Sequence, residues 1–159
     1  MKEYLLVLEY ADEGTLRNYL EKKFSTLNWE DKYRLAFQLS SAIECLHESG
    51  IVHNDLHSSN IFIQQNSIKL ANFGQSKLIK PISVNTIPYI DPQGVNTTGD
   101  VQMGNVYSVG VLMWELSSGK VPFADKENSL SLAVEIAQGL REEIIEGTPE
   151  RYSNLYASK

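Results

Sequence analysis

The chain begins with an apolar run and then turns to a helical pattern. Residues 4–10 are rich in aliphatic and aromatic side chains and lead into a turn-forming cluster that ends at Gly14. This order predicts one strand followed by a loop. Apolar residues recur at helical spacing over 16–20, directly after Thr15, a residue type whose side-chain oxygen accepts a backbone N–H at helix starts. A short amphipathic helix is therefore predicted from Thr15.

A longer helix is predicted between Asn28 and Gly50. Asn28 is a suitable N-cap, Asp31 follows three residues later as in a capping box, and Gly50 is a suitable stop. The apolar stripe of this helix is formed by Trp29, Tyr33, Ala36, Leu39, Ile43 and Leu46.

Short strand-like runs follow this helix. They cover 51–52, 61–63 and 68–71, with a fourth candidate at 77–79, and polar loops between them indicate small hairpins. Residues 80–104 contain several prolines and glycines and little periodicity. They are predicted to form a long loop, and loops of this length usually carry function.

The remaining pattern is helical. Residues 105–117 have almost no polar face, which is typical of a buried central helix. Another helix is predicted over 129–138, and a last one begins with Thr148 as N-cap and Pro149 as the first helical residue. The elements predict an α+β fold that is mainly α. A length of 159 residues suits one domain.

Composition narrows the possible partners and the compartment. The chain has 14 Lys and Arg against 20 Asp and Glu, a net charge of -6. Nucleic acids and anionic membranes repel such a chain, so neither is expected as a partner. The single cysteine, Cys45, cannot form an internal disulfide and fits a reducing compartment, so a cytoplasmic location is predicted. The apolar runs of the chain are far shorter than the ~20 residues that span a bilayer.

The segment with the most chemical information runs from His53 to Asn60 and reads HNDLHSSN. It is followed by Asn72, Phe73 and Gly74. An isolated H-x-D sequence is usually a loop carboxylate that caps its own backbone amides. Here the two segments together resemble the catalytic loop H-R-D-L-x-x-x-N and the D-F-G motif of protein kinases.

Further matches occur in the same order as in protein kinases. Residues 8–11 with Gly14 resemble the hinge, 88–93 resemble the end of the activation segment, and 104–115 resemble the central helix. The resemblance covers essentially all 159 residues. It is closest to the tyrosine-kinase-like group, partly because His57 stands where other serine/threonine kinases have Lys.

The resemblance implies a partial kinase domain over 1–159. A hinge strand at 4–10 is followed by the helical lobe at 15–159, whereas the upper-lobe features of the family have no counterpart in this sequence. Those features are the Gly-rich loop, the strand Lys and the helix Glu that pairs with it.

The resemblance also assigns roles to individual residues. Asp55 would orient a substrate hydroxyl, and Asn60 would bind the second metal ion. Asn72 stands at the position of the principal metal ligand. The nucleotide positions implied for ATP are Leu8 as gatekeeper, the backbone of Glu9 and Ala11 at the adenine, and Phe62 and Leu16 as the apolar floor.

Four signature positions depart from the family pattern, and each carries a side-chain amide. They are Asn54 for the Arg of H-R-D, Asn72 for the Asp of D-F-G, Gln93 for the Glu of A-P-E, and Asn105 for the Asp that begins the central helix. Each amide is similar to or smaller than the family residue that it replaces, and it carries no charge. A neutral amide is a poor replacement for the carboxylate that binds Mg²⁺, so we expect weak ATP binding and no use of Mg²⁺.

The sequence therefore predicts a pseudokinase, a catalytically inactive domain that acts as a binding or scaffold element in signalling. Its expected partners are proteins, including another kinase domain or a second copy joined through the hinge strand. Two alternatives stay open. The chain could be part of an active ATP-dependent Ser/Thr or Tyr kinase whose upper lobe is encoded upstream, or it could be a non-functional gene fragment.

Overall fold

A computed structural model describes residues 9–72, 84–93, 101–126 and 130–157. Most of the predicted hinge strand, including Leu8, and the candidate strand at 77–79 lie outside these ranges. None of the described helices is long and apolar enough to cross a bilayer.

The first helix forms where the sequence predicts it. Helix α1 spans Leu16–Lys23, and the Thr15 hydroxyl accepts the backbone N–H of Asn18 at 3.3 Å. Its buried face consists of Leu16, Tyr19 and Leu20. A single 3-10 turn, Phe24–Thr26, connects it to the next helix.

Helix α2 spans Trp29–Glu48 and has the predicted capping box. The Asn28 side chain accepts the backbone N–H of Asp31 at 3.0 Å, and the Asp31 carboxylate accepts that of Asn28 at 3.3 Å. The helix ends at Glu48, and Gly50 follows with a φ of 68°, a conformation that favours glycine.

The predicted apolar stripe of α2 is wrong at three positions. Tyr33 was included but is 39% exposed. Leu35 and Lys32 were omitted but are buried, and Lys32 is only 7% exposed. The ammonium of Lys32 lies 3.9 Å from the ring centroid of Phe24 and donates to the carbonyl of Ser117 at 3.4 Å. An aromatic ring and a carbonyl stabilise the buried cation, which a pattern based on polarity places on the solvent side. Burial lowers the pKa of Lys32.

Two of the predicted strands form one hairpin. Strand β1 is Ile61–Gln64 and strand β2 is Ser67–Leu70, paired antiparallel with Ile61 opposite Leu70. Gln65 and Asn66 form the turn with φ values of 48° and 59°, which matches the right-handed twist of a two-residue hairpin.

The predicted strand at 51–52 does not form. The backbone N–H of Ile51 instead donates to the carbonyl of Leu46 at 2.9 Å, so this segment finishes the C-terminal cap of α2. The β-type residues at 51–52 had indicated a strand. The backbone N–H of Ile51, which strand pairing would need, is used instead by the helix cap.

The predicted loop at 80–104 contains helical structure. A 3-10 helix spans Val84–Tyr89, and helix α3 spans Val101–Ser118, beginning four residues before the predicted start. Gly104 lies inside α3, where a glycine costs about 1 kcal/mol relative to alanine. The packing of the rest of α3 outweighs that cost.

Helix α3 is the buried central helix that the sequence predicts. Leu112, Glu115 and Leu116 have no exposed surface, and the helix packs against α2 and against α5, which spans Glu150–Ala157. A second, smaller core is formed with helix α4, Leu130–Ala137. It consists of Ile87, Tyr107, Phe123, Leu132 and Ile136. The predicted α+β fold, mainly α with a small hairpin, is confirmed for the described ranges.

Helix α5 begins later than predicted, at Glu150. The carbonyl of Pro149 accepts the backbone N–H groups of Tyr152 and Ser153, which makes Pro149 the capping residue. The predicted cap, Thr148, has a buried hydroxyl without a hydrogen-bond partner in the part of the chain that the structure describes.

Candidate active site

The H-x-D segment is a loop, and its first residue, His53, is buried and anchors it. His53 has no exposed surface, and its Nε2 lies 2.8 Å from the carbonyl oxygen of Ala71. Leu56, at the centre of the loop, is buried in the main core. These contacts join the loop to the segment after β2, and His53 packs against that segment.

Two of the replaced signature positions have left-handed backbones. Asn54 has a φ of 51° and Asn72 a φ of 68°. Asparagine is among the residue types best tolerated there, after glycine, because its short side chain bonds locally. The amides at these positions are therefore compatible with the local chain path.

The side chain of Asn60 contacts the other polar residues of the predicted catalytic loop. This side chain is buried, and its Nδ2 donates to the Asp55 carbonyl at 2.8 Å and lies 3.1 Å from the Asp55 carboxylate. The same nitrogen lies 2.8 Å from Nε2 of His57. The structure thus places Asp55 and Asn60 side by side, as the resemblance implies.

The two predicted metal positions bind each other. Nδ2 of Asn72 donates a hydrogen bond of 2.6 Å to Oδ1 of Asn60. A backbone hydrogen bond of 3.1 Å from Ala71 to the carbonyl of Asn60 lies beside it. We call the pair formed by Asn60 and Asn72 the amide clasp.

These residues do not fit Mg²⁺. That ion demands several oxygen ligands, at least one of them anionic, in a nearly ideal octahedron. The clasp contributes two neutral amides, and the amide oxygen of Asn60 already accepts the Asn72 N–H. Within the described ranges, no group of three or more His, Cys, Asp or Glu side chains lies close enough to hold a metal ion.

His57 does not replace the charge of a lysine. Burial lowers its pKa, and the nearby Asp55 carboxylate, 3.6 Å from Nε2, opposes that shift only in part. Because an imidazole with a lowered pKa is mostly neutral at pH 7, the loop lacks a permanent cation at this position.

The predicted adenine positions are described in part. The backbone N–H of Glu13 donates to Ile63 at 3.2 Å, and that of Ile63 donates to Gly14 at 2.9 Å. The segment after Ala11 therefore runs beside β1, which carries Phe62. Ala11 and Phe62 are both half-buried. The exposed carboxylate of Glu9 pairs with Lys69 at 3.2 Å. Leu16, which the resemblance assigns to the apolar floor, is packed in the main core. Ordinary helix packing explains this position as well.

The most buried charge lies just behind the loop. The carboxylate of Glu115 on α3 pairs with Arg17 of α1 and accepts hydrogen bonds from the Tyr89 hydroxyl and, at 3.2 Å, from the Ser58 hydroxyl. Burial raises the pKa of Glu115, and Arg17 opposes this shift. Burial also raises the pKa of Tyr89, which keeps its hydroxyl protonated as a donor.

The Glu115 cluster, formed by Glu115 with Arg17, Ser58 and Tyr89, was not predicted from the sequence. It ties together α1, the catalytic-loop segment, the 3-10 helix and α3. The signal that would have found it is the acidic residue inside the otherwise apolar run that forms α3.

Two other replaced positions lie at the edges of the site. Nδ2 of Asn105, buried at the start of α3, lies 3.1 Å from Nε2 of His47 on α2, a contact that the sequence did not indicate. Gln93 is exposed, and its backbone N–H donates to the Asp91 carboxylate at 2.8 Å.

Comparison with known proteins identifies the family. Residues 1–156 match the protein kinase domain family. The chain belongs to this family, which confirms the resemblance carried by the H-x-D and N-F-G segments.

Curated relatives are named as kinases of several kinds. A probable LIM domain-containing serine/threonine-protein kinase of Dictyostelium discoideum is 32% identical over 97% of this chain and 25% of its own length. The serine/threonine/tyrosine-protein kinase HT1 of Arabidopsis thaliana is 33% identical over 76% of this chain and 33% of its own length. Wall-associated receptor kinase 2 of Arabidopsis thaliana is 36% identical over 73% of this chain and 18% of its own length. The chain thus spans a third or less of each of these relatives.

The Glu115 cluster gives a stability prediction. Replacing Arg17 with Met leaves a fully buried carboxylate without its cation, so we expect the free energy of unfolding to fall by about 3 kcal/mol at neutral pH. The matched control is Lys23→Met, also on α1, because its pair with Glu13 is exposed and should contribute less than about 1 kcal/mol. Urea denaturation followed by circular dichroism measures both.

The same variants give a pH test. In Arg17→Met the folded state should hold a proton on Glu115 more tightly than the unfolded state, so the loss should shrink as the pH falls toward about 5. Equal, pH-independent losses in the two variants would contradict a buried charge at Glu115.

Proposed function

We propose that this chain is a pseudokinase, a protein kinase domain that does not transfer phosphate and acts as a binding or scaffold element in signalling. The observation that carries the proposal is the amide clasp, in which Asn72 donates to Asn60 at 2.6 Å. The predicted cytoplasmic location belongs to the same proposal.

The clasp would provide one of the two things that a metal ion provides in an active kinase, the connection between two segments. An ion between two oxygen ligands holds the catalytic loop and the D-F-G segment together and neutralises the phosphates. Here an N–H of Asn72 faces the oxygen of Asn60, so the two segments are joined but no positive charge is brought in. The clasp would therefore hold the two segments together without supplying the electrostatic contribution of the metal.

The surrounding residues do not restore that charge. His57 is mostly neutral, and Asn54 stands in place of the arginine. Phosphoryl transfer depends almost entirely on positioning and on electrostatic stabilisation of the moving phosphoryl group. We therefore expect any ATP binding to be weak and indifferent to Mg²⁺.

A second candidate function is an active protein kinase formed with a further lobe. It is favoured by one observation, the placement of Asp55 and Asn60 in a single hydrogen-bond network at 3.1 Å. The kinase names of the relatives agree with it. This candidate requires Mg²⁺ to bind at Asn72, and the next experiment separates the two.

Replacing Asn72 with Asp should create the metal dependence that the wild type lacks. Without metal, the new carboxylate faces the amide oxygen of Asn60, so we expect a loss of about 1 kcal/mol in the free energy of unfolding. Such a loss lowers the melting temperature by roughly 2–4 °C in a chain of this size. Millimolar Mg²⁺ should recover it.

The matched control is Asn66→Asp, the same change at another exposed asparagine with a positive φ, in the hairpin turn. Mg²⁺ should leave the melting temperatures of the wild type and of this control unchanged. A clear rise in the wild type, with or without ATP, would overturn the proposal and favour the active kinase.

We propose as the partner surface the hinge strand that the sequence predicts at 4–10. An apolar strand with an unpaired edge offers its N–H and C=O groups to any neighbouring edge. The strand would be joined by a second copy or by another kinase domain.

A purified sample of these 159 residues should therefore not elute as a clean monomer at micromolar concentration. Hydrogen exchange should be slow at 109–114 in all states, because α3 is buried there. It should be fast at 1–8 in dilute samples and slow in the associated form. A monomer with residues 5–8 already protected would show that the strand is paired within the chain, contrary to the proposal.

A further inference from the structure

A preformed pocket lies on α3 away from the catalytic loop. Its volume is about 200 Å³. The residues that form most of its wall are Tyr107, Val111, Trp114, Phe123, Ile144 and Tyr156. None of the lining residues belongs to the catalytic loop, the amide clasp or the predicted adenine positions, so the inference does not depend on the proposed function.

The walls of the pocket are fixed by hydrogen bonds. The indole N–H of Trp114 donates to the carbonyl of Glu143 at 2.8 Å, and the Glu142 carboxylate accepts the backbone N–H of Phe123. Trp114 and Phe123 are each only 5% exposed. The pocket is therefore built from anchored side chains and requires little rearrangement to accept a ligand.

The chemistry of the walls selects an aromatic ligand. Four of the six residues named above are aromatic, and ring faces and edges pair best with another ring. The volume exceeds the roughly 150 Å³ of an apolar cavity that accommodates benzene. A bicyclic molecule as small as indole fits this range.

The charges at the pocket do not favour an ion. Arg141 donates to the carbonyls of Ile136 and Leu140 at 2.8 and 2.7 Å, and its guanidinium lies 5.5 Å from the Tyr107 ring centroid. The Glu142 carboxylate accepts the backbone N–H of Phe123. Because both charged groups already have partners within the protein, an uncharged ligand is favoured.

Tyr156 contributes its ring to the wall. The residue lines the pocket and is only 8% exposed. Its hydroxyl is buried and has no hydrogen-bond partner among the residues that the structure describes, so it is not part of the accessible wall. The contacts available to a ligand are therefore mainly those of apolar and aromatic surfaces.

We propose that this pocket binds a small, uncharged aromatic molecule of about the size of indole, held by the aromatic and aliphatic walls. The probe is indole, and cyclohexanol is the non-aromatic control. Titrations of the full chain are followed by methyl NMR of Val111 and Ile144. Indole should give saturable shifts of these methyls, and cyclohexanol should not.

Two variants on α5 test the location. Ala157 lines the pocket and is exposed, so Ala157→Phe should obstruct it and weaken indole binding by roughly tenfold. Leu155 is 55% exposed and does not line the pocket, so Leu155→Phe is the matched control and should bind as the wild type does.

Two results would overturn the proposal. They are the absence of saturable shifts with indole and equal binding of indole by Ala157→Phe and Leu155→Phe.

Discussion

A carboxylate that has no contact with solvent must be neutralised or fully hydrogen-bonded, and Glu115 meets this requirement with partners from three other segments. Arg17 supplies the opposite charge, and the hydroxyls of Ser58 and Tyr89 supply hydrogen bonds. Because these partners belong to α1, the catalytic loop and the 3-10 helix, satisfying one buried charge fixes the relative positions of three segments on α3. The loop geometry therefore rests on the protein's own groups.

The amide clasp also fixes the catalytic loop through the protein's own groups, at Asn60. Asn72 and Asn60 join two segments through a neutral hydrogen bond of 2.6 Å, at positions where the kinase family uses a carboxylate and a metal ion. Asparagine also suits the left-handed backbone at Asn54 and Asn72. The replacements are consistent with a domain that has the contacts of the site but lacks the charged groups that phosphoryl transfer requires. This combination is expected of a binding element.

The sequence predicted the parts of the fold that depend on local chemistry. The caps at Thr15 and Asn28 and the turn of the hairpin follow from residue type, and all three form. The burial of Lys32 and the contact between Asn105 and His47 depend on neighbours distant in the chain, so a one-dimensional pattern could not show them. The family resemblance selected Asp55, Asn60 and Asn72, and the structure places these three side chains in contact. The resemblance could not show that the two asparagines would bond to each other.

The central claim is that this site does not transfer phosphate. The most direct test is incorporation of labelled phosphate from ATP with Mg²⁺, measured for the longest natural product that contains this sequence, on itself and on Ser, Thr and Tyr acceptors. The matched blank is Asp55→Ala, which removes the retained catalytic carboxylate. The account predicts the same background incorporation in both proteins. Incorporation that Asp55→Ala abolishes would contradict it.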